Sequence, residues 1–456
     1  MSGFGWQIEM VRQVLPQRLT GRVATVTGLT VGAVDLPAPL GAMCRIRGRG
    51  GMGTAAQVVG FAGEQTLLMP LGETAGLARG DAVTCQTNMP VVPVSVDMLG
   101  RVLDAFGRPI DGGAALTPEA YYPLHRAAPD PLKRRAIDKP LPVGVRPIDA
   151  MTTCGLGQRM GIFAGTGVGK SVLMGMIARY TAADVTVVAL VGERGREVGE
   201  FLQRDLGEEG LKRCVVVVST SDQPPVLRVR APLVATAVAE HFRDQGCDVL
   251  LLMDSLTRMA MAQRQIGLAS GEPPATKGYT PSVFAQMPPL MERAGRTQTG
   301  SITALYTVLV EGDDINEPIS DAARGVLDGH VWLSRALATR GQYPAVSVLD
   351  SISRVMTDVV DDDHRRIARE VASLLAAYNE VEDLVNIGAY AAGSNPLYDL
   401  AIRMRDPINA FLAQGMNERA DFADTRRRLG ELDAMIQKHR KAIGPGAAST
   451  ARGAQR

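Results

Sequence analysis

Cysteine is scarce in this chain. Five residues are scattered through 456, no two closer than 33 positions, with no C-x-x-C pair. That pattern excludes a disulfide framework and points to reduced thiols in a cytosolic compartment. The five histidines form no H-E-x-x-H or similar ligand pattern, which argues against zinc. Aromatic residues make up 4% of the chain, too few for base-stacking platforms. No charge surplus exists either: 49 Lys and Arg face 48 Asp and Glu, a net charge of +1. Near-neutrality argues against a dedicated nucleic-acid binder, which needs basic surface to neutralise phosphate. Long apolar runs are absent too. The densest, such as Val185–Val191, are far too short to span a bilayer, so no transmembrane segment is expected. The opening MSGFGWQIEMVRQVLPQR lacks the apolar core of a signal peptide.

Glycine (49) and proline (27) are plentiful, without the period of collagen. A hydrophobic fraction of 46% with 21% charged is that of a globular protein, and the length suggests about three domains. Residues 18–92 carry short β-rich runs between glycines (GRVATVTG, MCRIRGRGGMG, AAQVVGF, QTLLMPLG, AVTCQ), the pattern of a small all-β barrel or sandwich. Residues 93–148 read as a Pro- and Gly-rich link. From about 158, apolar runs alternate with helical segments (RMGIFAG, SVLMGMIARY, VTVVALV, REVGEFLQRDL, CVVVVST, DVLLLMD), implying a largely parallel sheet covered on both faces. From about 356 the chain reads as helical, ending in a small, polar tail.

The strongest local signal is AGTGVGKS, residues 164–171. It fits the phosphate-loop template with Ala164 at the first glycine position. A predicted strand at 160–163 precedes it and a predicted helix at 171–180 follows. A glycine-rich turn in that context aims backbone N–H groups and a helix N-terminus at phosphate. Gly165, Gly167 and Gly169 permit close approach, Lys170 neutralises β/γ oxygens, and Ser171 ligates Mg²⁺. Asp254 ends the apolar run DVLLLMD and reads as the acidic partner that holds the metal through water. Glu193, after the run at 185–190, falls at a strand C-terminus, the ligand edge of a parallel sheet. A carboxylate there orients water, and Arg194 beside it reaches the γ-phosphate. Spacing alone leaves a solvated charged loop as the alternative.

AGTGVGKS, VGERGREV, LLLMDSLTRMAMAQR, GEPPATKGYTPSVFAQMPPLMERAG, EGDDINEPISDAARGVLDGHVWLSR and YPAVSVLDSISR occur in that order. Together they resemble the hexameric ATPases related to the rotary ATP synthase catalytic subunit. More narrowly, they resemble the flagellar and type III secretion export ATPases, over residues of about 20–425. The segment NEVEDLVNIGAYAAGSNPLYDLAI, with no acidic lever, is similar to the secretion branch.

The resemblance implies an α/β fold: a RecA-like P-loop core with a parallel sheet, a small N-terminal β-barrel before it and a C-terminal helical domain after it. The expected boundaries are 1–17 (an amphipathic segment), 18–92, 93–355 and 356–456. It implies ATP hydrolysis with Mg²⁺ in support of flagellar protein export, with an injection-system ATPase or a rotary ATPase subunit as alternatives. The nucleotide falls to Gly165, Thr166, Gly167, Val168, Gly169, Lys170, Ser171 and Val172. Glu193 becomes the catalytic carboxylate, Ser171 and Asp254 the metal residues, and Tyr343 the adenine stack. Arg354 becomes an arginine finger for the neighbouring subunit, with Arg194 and Lys170 also in the catalytic set. Met416 and Phe422 align with further adenine-side contacts. Ser347 stands where the family carries Asp or Asn.

Implied partners are a homohexamer, a central stalk, a membrane export gate, and export substrates with their chaperones. No nucleic acid is among them. Location is cytoplasmic, at the inner face of the export apparatus. Phe4, Ile8, Val11 and Leu15 share a helical face; the resemblance implies that it docks a dimeric regulator, the alternative being a frayed arm or a self-packing helix. Residues 271–286, rich in Gly and Pro, read as a flexible surface loop; the resemblance implies instead an element facing a central channel that moves with nucleotide state and touches a stalk or exported chain.

Overall fold

The computed structural model describes residues 19–48, 53–87, 90–310, 312, 314 and 316–443. The proposed regulator-docking segment at 1–17 therefore lies outside the described residues, as does the polar tail. Two compact units divide the chain. The first takes in the chain up to Arg135, Ala183–Leu309 and Asp314–Val326; the second takes Ala136–Ala182, Val310–Asp313 and Leu327 onward.

The first unit begins with a closed barrel of six strands in the order β1-β2-β5-β4-β3-β6. These are β1 (Thr20–Thr27), β2 (Thr30–Val34), β3 (Met43–Arg47), β4 (Gly53–Ala62), β5 (Gln65–Pro70) and β6 (Ala82–Thr87). Alternate side chains turn inward, and Val23, Val31, Ile46, Val58, Leu68 and Val83 form its dry interior. Closure removes the exposed edges that six short strands would otherwise present. The barrel alternative is thus the one realised.

The predicted link holds more structure than its composition suggests. It contributes β7 (Val91–Val94), β8 (Val102–Leu103) and β9 (Ala120–Pro123); β7 and β9 pair antiparallel. In the same unit β8 joins the edge of a parallel array ordered β15-β13-β11-β12-β8. Its members are β11 (Val185–Val191), β12 (Cys214–Ser219), β13 (Asp248–Asp254) and β15 (Ser301–Leu309). Every residue of β11 and β12 is buried. Two-sided burial explains why these strands read as unbroken apolar runs rather than alternating ones. The short β14 (Gly295–Arg296) pairs antiparallel with β15. The segment read as a loop at 271–286 is partly helical: a 3-10 turn at Thr276–Gly278 leads into an α-helix, Pro281–Met291. Pro281 occupies the helix start, where the missing N–H costs nothing.

In the second unit, β10 (Arg159–Ala164) pairs parallel with β16 (Gly329–Leu333), which pairs antiparallel with β17 (Val346–Ser353). Helices Asp362–Asn386, Pro396–Leu412 and Phe422–Ile443 follow. Val371, Leu374, Met404, Ile408, Leu429 and Ile436 meet in one cluster among them. The Asp361 carboxylate accepts from His364 N at 2.9 Å and caps the first helix, and Asn395 caps the second. Leu429, Leu432 and Ile436 pack inward, whereas Met435 is exposed.

Candidate active site

In the second unit, β10 runs into a tight loop and then into helix Lys170–Tyr180. Gly167 (φ +79°) and Gly169 (φ +89°) adopt left-handed backbone that an L side chain resists. Gly169 stands at the N-cap, so the N–H groups of the first helical turn open onto the loop. That is an anion cradle of the kind that receives phosphate. Val168 anchors it from the buried side, and Arg335 Nη1 donates to the Thr166 carbonyl at 3.2 Å. Thr166 and Ser171 are exposed.

Beside the cradle lies an apolar slot enclosing about 300 Å³. Val172, Leu173 and Met176 of the helix form one side; Leu333, Tyr343 and Ala345 face them, and residues 414–416 complete the wall. The Tyr343 ring packs on Gly169, where an added Cβ would lie 3.5 Å from it. The Gln414 amide turns to the protein: Nε2 donates to the carbonyls of Gly144 (2.9 Å) and Glu418 (2.7 Å), and Oε1 accepts from Arg146 N. The slot therefore presents mostly apolar surface, suited to a flat heterocycle. Val172 and Met416 line it. Phe422 does not; its ring lies 6.2 Å from that of His364.

In the first unit, Glu193 follows β11 after Gly192, whose positive φ (+69°) turns the chain. Gly192 N donates to Ser219 O (2.6 Å) and Ser221 N to Glu193 O (3.0 Å), fixing the turn against the end of β12. Glu193 is 8% exposed, and Arg258 Nη2 lies 3.2 Å from its carboxylate. A hydrogen bond with Glu193 is the largest influence on Glu197, whose carboxyl is held below its ordinary range. Arg194 points outward, N-caps helix Gly195–Glu200 and pairs with Glu197 at 3.6 Å. The cation beside Glu193 is thus Arg258.

Asp254 closes β13 in register with Leu190 of β11, which brings both acids to the C-terminal edge of neighbouring strands. Its carboxylate is 3% exposed and accepts from Thr307 Oγ1 at 2.6 Å. No cluster of three or more His, Cys, Asp or Glu able to hold a metal occurs among the described residues. Mg²⁺ does not need one, because one or two protein oxygens together with substrate phosphates suffice.

Arg354 follows β17 with an exposed side chain. The serines before it explain the strand's shape. Ser353 Oγ donates to Thr153 O (2.9 Å), and Ser351 Oγ accepts from Trp332 N (2.9 Å) at an irregularity in the β16–β17 pairing. Ser347 Oγ donates to Asp350 at 2.6 Å.

Residues 144–353 match the ATP synthase alpha/beta family, nucleotide-binding domain, and residues 23–86 its beta-barrel domain. Residues 360–431 match the T3SS EscN ATPase C-terminal domain. The flagellum-specific ATP synthase of Pseudomonas aeruginosa is 52% identical over 90% of this chain and 92% of its own length. The chain belongs to the flagellar and type III secretion ATPases. The type 3 secretion system ATPase of Xanthomonas euvesicatoria is 50% identical over 90% of this chain and 92% of its own length. The assembled ATPase EscN of enteropathogenic E. coli superimposes with a TM-score of 0.86 at 43% identity, covering 90% of this chain and 99% of EscN. EscN bound to its central stalk EscO gives a TM-score of 0.83 at 42% identity, with the same coverage.

For a member of these ATPases, sequence reasoning overlooked Arg258, Thr307 and Arg335. Arg258 carried a usable signal: it lies one helical turn past Asp254, and Ser255 Oγ accepts its backbone N–H at 3.2 Å as the helix cap. Thr307 and Arg335 carried none, because only strand and loop pairing brings them to their partners. No helix among the described residues is long and apolar enough to cross a membrane.

Proposed function

We propose that this ATPase forms a homohexameric ring and hydrolyses Mg·ATP to energise protein export through a flagellar type III apparatus. The observation that carries this reading is the phosphate cradle continuous with an apolar slot, both built on helix Lys170–Tyr180. Lys170 meets the β/γ oxygens, and the loop from Gly165 to Gly169 surrounds them with N–H groups. Tyr343 stacks on adenine, with Val172 and Met416 beneath it. Ser171 and Asp254 would hold Mg²⁺, which when bound neutralises phosphate charge. Glu193 orients the attacking water. Arg354 stabilises transition-state charge in a neighbouring copy, so turnover depends on assembly.

The flagellar assignment follows relatives named flagellum-specific ATP synthase from Pseudomonas aeruginosa and, at 53% identity, Bacillus subtilis. The partners that go with it are a dimeric regulator at residues 1–17, a central stalk, the membrane export gate, and substrates with chaperones. The place of action is the cytoplasmic face of the export apparatus. Two measurements test this. Purified chain should release phosphate from Mg·ATP, and exchanging its gene for one encoding Glu193→Gln should stop filament assembly. Intact filaments with a silent ATPase would refute the export role.

A further inference from the structure

Arg146 is a large charged residue with only 2% of its surface exposed, and the mechanism above gives it no part. It opens helix Arg146–Met151 in the second unit, and its hydrogen bonds converge on one stretch of chain. Its backbone N–H donates to Gln414 Oε1 at 2.7 Å. Its Nη1 donates to the carbonyls of Phe411 (3.2 Å) and Ala413 (2.7 Å), at the end of helix Pro396–Leu412 where carbonyls lack helical partners. Its Nη2 donates to the Glu418 carboxylate, whose other oxygen accepts from Gly415 N at 3.1 Å. From the opposite side Arg179, in the last turn of helix Lys170–Tyr180, donates to Met416 O at 2.7 Å. Gln414 N donates to Tyr343 O at 2.9 Å. Residues 413–418 are thus tied at every turn, and 414–416 are the part that walls the apolar slot.

We propose that Arg146 is a positioning residue for the nucleoside half of the substrate: it holds residues 413–418 in place as the slot's wall and thereby sets KM for ATP. This rests on the reading of the slot as the base site. The guanidinium is suited to the task because its planar fork serves several acceptors at once; a lysine ammonium of equal charge lacks that geometry. Releasing the fork frees two helix-end carbonyls and the Glu418 carboxylate, and the Gly415–Met416 wall loses its register against Tyr343. The phosphate cradle, built from β10 and Gly169, keeps its own hydrogen bonds. Base affinity and phosphate affinity should therefore separate.

The experiment uses the full chain and two probes, ATP and inorganic tripolyphosphate. Arg146→Lys should raise KM for ATP about tenfold and lower kcat less than threefold, with inhibition by tripolyphosphate unchanged. Glu418→Gln, at a half-exposed position that tolerates change, should raise KM about threefold with the same split, and it carries the test if Arg146→Lys does not fold. An unchanged KM in the variant tested, or equal losses for ATP and tripolyphosphate, would overturn the assignment. If the wild-type chain itself binds ATP no more tightly than tripolyphosphate, the base-site reading fails first, and Arg146 with it.

Discussion

Arg258 reaches back from its helix onto Glu193: Nη2 stands 3.2 Å from the carboxylate, while Nη1 donates to the Gly192 carbonyl. Glycine at 192 favours this approach: its φ of +69° suits glycine, and a Cβ there would sit 3.1 Å from Arg258 Cδ, which would have to shift. One side chain thus fixes both the carboxylate and the peptide before it. Glu193→Gln keeps the shape and removes the charge, so kcat should fall by about 10²–10⁴ with KM for ATP little altered. Steady-state phosphate release checks this, and near-normal turnover would remove Glu193 from its role. Arg258→Ala should cost less, on the order of tenfold in kcat, because the acid survives but loses its orientation.

Lys170→Ala and Tyr343→Ala should differ in kind. Without Lys170 the cradle loses its charge, and turnover should disappear. Without the Tyr343 ring the slot loses one face, and KM for ATP should rise roughly tenfold while kcat holds within a few-fold. Tyr343→Phe should behave as wild type. A phenylalanine variant as weak as the alanine one would show that the hydroxyl, not the ring face, binds the base.

Arg354 should act on a neighbour. Specific activity should then rise steeply with protein concentration. A sharper version mixes two inactive chains, Lys170→Ala and Arg354→Ala. Mixed rings pair an intact phosphate loop with an intact arginine, and part of the activity should return. Mixtures as silent as their components would contradict action in trans.

His364 and His241 predict an acid limit to stability. Burial is the main cause holding both imidazoles below their ordinary pKa, although the Ala150 carbonyl opposes it at His364 and Glu119 at His241. His364 Nε2 lies 2.8 Å from Ala150 O. The unfolded chain takes up these protons first. Stability is therefore complete above about pH 6.5 and declines as pH falls through that value. The buried Asp149 carboxyl, pushed up to about 7, works in the opposite sense because the folded chain takes up its proton first. The histidine share is therefore read as the difference in thermal midpoint between wild type and His364→Leu from pH 8 to pH 5. His364→Leu should flatten part of the slope; an unchanged slope would assign the loss to other groups.

What could be read from the sequence follows from how far each signal reaches along the chain. Buried parallel strands announce themselves as apolar runs, so β11, β12 and β13 were legible, and Asp254 and Glu193 with them. The phosphate loop was legible because its glycines, lysine and helix are contiguous. β2 escaped notice because Gly32 interrupts it. A side chain there would collide with Thr25 and Gln65, and that close packing is invisible without the partner strands. Helix Pro281–Met291 was hidden by its own prolines, among them Pro288 and Pro289 inside it. The slot's far wall comes from residues more than 200 positions after the phosphate loop. Gln414, which completes it, carries no local mark.

Gly169 is shared by the phosphate loop and the apolar slot, the two halves of the proposed nucleotide site. Its left-handed backbone shapes the phosphate loop, and its bare α-carbon is the floor on which the Tyr343 ring rests. The loop and the ring therefore work as the jaws of a caliper with a common pivot. Under the proposed function a nucleotide would be gauged along its length: a base seated under Tyr343 would dictate where its phosphates end. Shortening the phosphate chain or enlarging residue 169 should put that gauge out of true, even with every other group in place.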